Sequence, residues 1–245
     1  MTERDFAPER AGLYAILDVD AWRARHVELA TEGTLESIAD ALLAARPVAL
    51  QLRAKHEHAR DTLALAARLQ PRAHRAGVPF VVNDRLDFAL LSDADLLHVG
   101  QDDLPLTAIR AVAPALPVGV STHDLPQLRA ALASPARPHY LAFGPVFGTT
   151  SKHRPDPTTG LEAFLAAAAE ARAADLVCVA IGGIDRARAA RIAAHTPFVG
   201  AVISALVAVD ASGRPDLDAV TAEARALDAL MRGRPAVGAA HGLDA

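Results

Sequence analysis

The residues of this chain best able to do chemistry stand in short clusters, each directly after a short apolar run. The first reads Gln51-Leu52-Arg53-Ala54-Lys55. Alternation along a strand puts Gln51, Arg53 and Lys55 on one side and Leu52 on the other. An amide and two cations on one side suit a polyanion, although a solvated strand end would read the same way. Two carboxylate-bearing clusters follow, Asn83-Asp84-Arg85 and Gly100-Gln101-Asp102-Asp103. Carboxylates beside cations and a phosphate make sense if a hard divalent metal joins them. Mg²⁺ is commonly held by one or two carboxylates together with substrate phosphates and water. Asp84 and Asp103 also precede helical stretches, so N-capping competes with metal binding. Capping does not explain why both fall beside the same cations.

The remaining clusters are less acidic. Ser121-Thr122-His123-Asp124 offers a hydroxyl to a ligand, a cap at Asp124 and, at His123, either a base or a bystander. No GxSxG elbow accompanies them, so a Ser/His/Asp hydrolase is not indicated. The stretch from Gly144 to Lys152 places Thr149, Thr150 and Ser151 before Lys152. It reads as a phosphate-clasping loop or as a flexible surface loop, and it departs from the Walker pattern. Gly182-Gly183 and Ile203-Ser204 follow the last two apolar runs. Glycine allows close backbone approach, and in β/α barrels the loops after strands seven and eight often bind phosphate through backbone N–H groups.

The elements needed to position these clusters are legible as eight apolar runs: Leu13–Leu17, Val48–Leu52, Pro79–Val82, Leu96–Val99, Pro117–Val120, Tyr140–Phe143, Leu176–Ile181 and Phe198–Ile203. Most are continuously apolar, as in strands covered on both faces. Helical stretches separate them: Thr34–Ala45 with Thr34 as its cap, Arg60–Arg75, a short one near Arg85–Leu91, Pro105–Ala113, Asp124–Ala133, Gly160–Ala174 and Leu217–Met231. This alternation predicts parallel pairing with right-handed crossovers. The expected fold is α/β, a single (β/α)₈ TIM barrel over residues 13–232, with an open doubly wound sheet as the rival. Residues 1–12 read as a flexible arm and 233–245 as a flexible tail. Val19–Gly33 and Gly144–Thr159 read as long loops.

With 245 residues, 51% of them hydrophobic, the chain is near the size at which one such barrel closes. A net charge of −4 and scattered arginines argue against a nucleic-acid or membrane surface. Cys178 is the sole cysteine, which excludes an intramolecular disulfide and a cysteine-built zinc cluster. It reads as a buried strand residue. The polar start and the lack of a membrane-length apolar stretch make a cytoplasmic enzyme the expectation.

Taken together, YAILD, QLRAK, VVNDRLDFAL, LLHVGQDDLP, VGVSTH, YLAFGPVFGTTSK, VAIGGI and AVISAL resemble the thiamine phosphate synthase family in order and spacing, over most of Tyr14 to Leu206. The resemblance implies a Mg²⁺-dependent transfer. A hydroxymethylpyrimidine pyrophosphate would join a thiazole phosphate, or its carboxylate form, through a pyrimidine carbocation, giving thiamine phosphate and pyrophosphate. It implies that Gln51, Arg53, Lys55, Asn83 and Lys152 hold the pyrimidine pyrophosphate. Asp84 and Asp103 would bind Mg²⁺, and Ser121 would contact the pyrimidine. Thr149, Thr150 and Ser151 would line the thiazole phosphate site, closed by Gly183, Ile203 and Ser204. Lys55, Lys152 and Ser121 are the expected catalytic residues, and Gly144–Thr159 the expected lid. The partners would be small phosphorylated molecules, with a homo-oligomer left open. The chain departs from the family at Ala54 (Glu), Gly148 (Pro) and Ser151 (Thr), and Gly148 bears on the stiffness of the lid. Two alternatives remain: a thiazole tautomerase using His123 as acid/base, and a non-catalytic barrel that binds a phosphorylated ligand.

Overall fold

The computed structural model describes residues 11–25, 33–149 and 157–234. Eight strands pair in chain order, all parallel, and the last returns to the first to close a barrel. They are β1 (Gly12–Asp18), β2 (Ala49–Arg53), β3 (Phe80–Asn83), β4 (Leu96–Val99), β5 (Val118–Thr122), β6 (Tyr140–Phe143), β7 (Val177–Ile181) and β8 (Val199–Val202). Closure through β1 and β8, with Gly12 opposite Val199 and Ala15 opposite Val202, excludes the open sheet. The described helices are α1 (Val19–Arg23), α2 (Thr34–Leu43), α3 (Ala59–Arg75), α4 (Leu86–Leu91), α5 (Leu106–Val112), α6 (Leu125–Ala133), α7 (Leu161–Ala173), α8 (Arg186–Ala193) and α9 (Leu217–Met231).

Strand alternation divides the core in two. Leu13, Leu17, Leu50, Leu52, Leu97, Val120, Leu141, Phe143 and Cys178 face outward and pack with helix residues such as Ile38, Leu42, Leu69, Ile109, Leu128, Phe164 and Leu227. Tyr14, Ile16, Ala49, Val81, Leu96, Tyr140, Val179, Val199 and Ala201 face inward and fill the barrel. Each large apolar side chain so buried contributes about 1.5–3 kcal/mol. Cys178 belongs to the outer layer, where burial pushes its thiol up to about 12, so it stays a thiol rather than a nucleophile.

Several local expectations change. Val19–Gly33 is not all loop: Asp18 caps α1 through a bond from Ala21 N, and α1 buries Val19 and Trp22. Residues 26–32 lie outside the described set. Thr34 does not cap α2; Gly33 stands at the cap with φ +92° and supplies no side-chain bond. Asp124, Asp185 and Asp216 do cap α6, α8 and α9. α8 is the helix whose bounds the sequence left unset. Gly12, assigned to the arm, begins β1. The far end of the barrel is tied by α9, where Asp228 accepts from Leu13 N and Met231 O accepts from Phe198 N.

One inward position depends on glycine. A Cβ at Gly119 of β5 would lie 2.0 Å from the Tyr140 ring, so glycine makes the space that Tyr140 fills. Gly119→Ala is expected to overpack the interior and lower stability by about 1–3 kcal/mol. Urea unfolding checks this, and unchanged stability would contradict the packing described.

Candidate active site

The C-terminal ends of β1 to β4 carry a dense set of charges. Asp18 ends β1 and is buried; its Oδ2 lies 2.5 Å from Arg53 Nη1. Asp20, on α1, lies 3.8 Å from the same guanidinium and accepts from Lys55 N. Lys55 follows β2 and places Nζ 3.0 Å from Asp84 Oδ2. Asp84 follows β3 in a left-handed conformation, φ +60°, after its N–H bonds to His98 O. Asp103 turns back so that its Oδ2 accepts from Gly100 N at 2.7 Å.

Neither Asp84 nor Asp103 caps a helix; the cap positions of α4 and α5 are Arg85 and Pro105, without side-chain bonds. Instead their carboxyls meet. Burial pushes the Asp84 carboxyl above its ordinary value, and the hydrogen bond with Asp103 pushes it the same way, against the pull of Lys55. Neighbouring carboxyls can share a proton or a cation, and Lys55 Nζ already stands at Asp84. Among the described residues no group of three or more His, Cys, Asp or Glu forms a metal cage. Two carboxylates with space for phosphate and water are nevertheless the usual protein share of a Mg²⁺ site, so the donor set fits that ion.

The two cations of β2 are therefore already engaged. Asp18 and Asp20 face Arg53, Asp84 faces Lys55, and Asp20 also lies 3.1 Å from His56 Nδ1. Asn83 sits at the end of β3, partly buried, opposite His98 of β4. Gln51 points inside the barrel and donates through Nε2 to Tyr14 Oη.

The ends of β5 to β8 enclose a cleft of about 70 Å³ that opens to solvent. Ser121, His123, Thr149, Gly182, Gly183, Ile203 and Ser204 are among its lining residues. Its walls are main chain brought unusually close. Val146 N donates to Ile181 O and Phe147 N to Gly182 O, which joins the loop after β6 to the loop after β7. Gly182 and Gly183 have φ +100° and +63°, and a Cβ at either would strike Pro145 or Gly148 O within 2.4 Å. Ser204 opens a 3₁₀ turn, Ser204–Leu206. His123 Nδ1 lies 2.6 Å from Gly144 O, which fixes its ring at the cleft edge.

The structure thus brings Gln51, Arg53, Lys55, Asn83, Asp84 and Asp103 to one half of the mouth and Ser121, Thr149, Gly183, Ile203 and Ser204 to the other. Thr150, Ser151 and Lys152 lie outside the described residues, as does much of the expected lid. Sequence reasoning missed Asp18 and Asp20, and it missed Tyr14, His98 and Tyr140 inside the barrel. The signal was present: each of those three is a polar residue at inward parity in an otherwise apolar run.

Comparison with known proteins agrees with the barrel fold and points to one family. Residues 24–206 match the family described as thiamine monophosphate synthase. The chain is 40% identical over 203 residues to a thiamine-phosphate synthase of a Roseiflexus species, covering 82% of this chain and 80% of that protein. It is 36% identical over 219 residues to the thiamine-phosphate synthase of Chloroflexus aurantiacus, covering 89% and 92%. Among solved structures, a thiamine phosphate pyrophosphorylase from Pyrococcus furiosus superposes with a TM-score of 0.72 at 26% identity, covering 91% of this chain and 96% of that one.

The Asp18–Arg53 pair gives a pH-dependent expectation. Burial raises the Asp18 carboxyl, and Arg53 opposes that rise. A carboxyl raised in the folded state favours folding at low pH, and that contribution is lost as pH rises through its folded pKa. Arg53→Leu removes the opposing charge and strands a buried carboxylate. It should cost about 3 kcal/mol at neutral pH, and the deficit should narrow on acidification as Asp18 takes up a proton. Urea unfolding of both proteins across a pH series measures this; a deficit equal at every pH would place the cost elsewhere.

Proposed function

The chain belongs to the thiamine monophosphate synthase family, and we propose that it joins an aminopyrimidine methyl pyrophosphate to a thiazole phosphate, releasing pyrophosphate. It is a transferase of thiamine biosynthesis. The observation that carries the finer reading is the Asp84–Asp103 pair, held beside Lys55 and across the mouth from the glycine-walled cleft. A pyrophosphate brought to the β2–β4 side meets cations already paired with carboxylates, so a divalent ion held there would favour its binding. Asp84 and Asp103 would hold Mg²⁺, which when bound supplies charge neutralisation for the departing pyrophosphate.

The chain's own residues do the rest. Arg53 and Lys55, already oriented by Asp18 and Asp84, present guanidinium and ammonium toward the pyrophosphate with little freedom left to lose. Lys152, on the loop after β6, would add a third cation. Gln51 and Ser121 would hold the pyrimidine ring, with Asn83 between ring and phosphates. The cleft over β6 to β8, with Thr149, Gly183, Ile203 and Ser204 and the hydroxyls of Thr150 and Ser151, would take the thiazole monophosphate. Placing both reactants on one mouth converts a bimolecular step into a local one. Departure of pyrophosphate leaves a pyrimidine methylene cation that the thiazole nitrogen attacks. This step needs no protein nucleophile, in keeping with the inert Cys178. The paired carboxylates and the thiamine-phosphate synthase relatives favour this reading over isomerisation by His123 and over a binding-only barrel.

Two outcomes test it. Mixing both phosphorylated substrates should yield thiamine phosphate and pyrophosphate only with Mg²⁺, and Asp84→Ala should lower turnover by ~100-fold or more while the barrel stays folded. Undiminished turnover would remove the metal assignment. Gly183→Ala, which forces a Cβ toward Gly148 O at 2.3 Å, should raise KM for the thiazole phosphate and leave KM for the pyrimidine unchanged. An effect confined to the pyrimidine would reverse the assignment of the two halves.

A further inference from the structure

The glycine wall of the cleft is held from behind by α8 and by the loop after β6. Two consecutive carbonyls of that wall are pinned. Gly182 O accepts from Phe147 N at 3.1 Å, and Gly183 O accepts from Arg188 Nη1 at 2.6 Å. Gly182, Gly183 and Ile184 line the cleft, whereas Phe147 and Arg188 do not. The Arg188 guanidinium also lies 5.4 Å from the centroid of the Phe147 ring, and the Arg191 guanidinium 5.5 Å from the same ring. Asp185, the cap of α8, accepts from Arg188 N at 2.8 Å and stands 3.8 Å from its Nη1. Arg188 is therefore aimed at the wall by the first turn of its own helix.

A planar trans peptide points its N–H opposite to its C=O. Pinning Gly182 O fixes the Gly183 N–H, and pinning Gly183 O fixes the Ile184 N–H. Neither N–H bonds to a described residue. Both belong to residues that line the cleft, and both carbonyls are turned toward groups that do not. Successive N–H groups in such turns make a concavity that takes anions. Gly182 and Gly183 have φ +100° and +63°. Glycine populates either hand about equally, so residue type alone does not hold these peptides in one orientation. A peptide turned over there would bring a carbonyl where the N–H stood, and an anion would meet the negative end of the dipole. The bond from a guanidinium to a carbonyl is charge-assisted and stronger than one between neutral groups. Of the two pins, Arg188 is the stronger.

We propose that Arg188 is a positioning residue for the phosphate end of the cleft. It holds the Gly183 carbonyl away from the cleft and the Phe147 ring against the β7 loop. The Gly183 and Ile184 N–H groups are thereby presented together to an anion. Standing behind the wall, Arg188 acts through the peptide and does not touch the anion. Arg191 places a second cation on the same Phe147 ring. The proposal rests on the reading of function given above only in naming the anion as a thiazole monophosphate; the geometry itself asks for a phosphate group.

Two measurements test it. In ¹H–¹⁵N NMR of the full-length protein labelled with ¹⁵N-isoleucine, the Ile184 amide is identified by its loss in Ile184→Val. Added inorganic phosphate should shift that signal to saturation; no shift overturns the proposal and needs no variant of Arg188 to do so. In Arg188→Ala the phosphate concentration at half-saturation should rise about tenfold or more. Arg188→Lys, which keeps a cationic donor, should recover part of that loss. An unchanged value in Arg188→Ala, or no recovery in Arg188→Lys, overturns the assignment. In turnover with both substrates and Mg²⁺, Arg188→Ala should raise KM for the thiazole phosphate by a similar factor and leave KM for the pyrimidine pyrophosphate unchanged. Equal rises in both would mean a general loosening of the mouth and would also overturn it. If the wild-type protein forms no thiamine phosphate, the functional reading fails while the phosphate titration still decides the role of Arg188.

Discussion

In a closed parallel barrel every second residue of every strand faces an interior that water does not reach. A polar group placed there must find its partner on another strand. That constraint organises this molecule. Tyr14, Gln51, His98 and Tyr140 satisfy one another across five strands' worth of interior, ending at Ser121. Nearer the mouth the same rule couples Asp18 to Arg53 and, just beyond the strands, Lys55 to Asp84. Apolar layers can be filled by any side chains of suitable volume. Paired polar groups fix which strand sits opposite which and at what height, and the reactive surface inherits that order.

Electrostatics at the mouth follow from this pairing. Arg53 and Lys55 are each oriented by carboxylates, Arg53 by Asp18 and Asp20 and Lys55 by Asp84. A polyanion reaching this half of the mouth must compete with those carboxylates for both groups. The opposite half of the mouth is built differently, from main chain exposed by Gly182 and Gly183 and from small hydroxyl side chains. One half handles charge by counter-charge, and the other by shape and backbone dipoles.

The barrel, its strand order and most helix bounds were legible because runs of apolar residues separated by amphipathic stretches carry that information. Four strands nevertheless run further than their apolar runs: Asp18, Arg53, Asn83 and Thr122 each belong to a strand that hydropathy alone would end earlier. Hydropathy stops at the first polar residue, whereas the ladder continues as long as partners exist, and at a functional mouth they do. Thr34 misled because cap chemistry depends on φ and ψ as well as residue type, and Gly33 holds the position. The contact between Asp84 and Asp103 was suggested by neighbouring strands but depended on a left-handed turn at Asp84 and a backward fold at Asp103. The interior polar residues stood out one by one at inward parity, but their pairing was not legible, since they come from β1, β2, β4, β5 and β6 and no local pattern joins them.

The base of the loop after β6 is closed on itself. Thr159 donates both its N–H and its hydroxyl to Pro145 O, at 2.8 and 3.1 Å, while Val146 and Phe147 are stitched to the β7 loop. Both ends of that span are therefore held at one proline carbonyl. The floor of the cleft keeps its own bonds to the β7 loop whatever length of chain runs between the two ends.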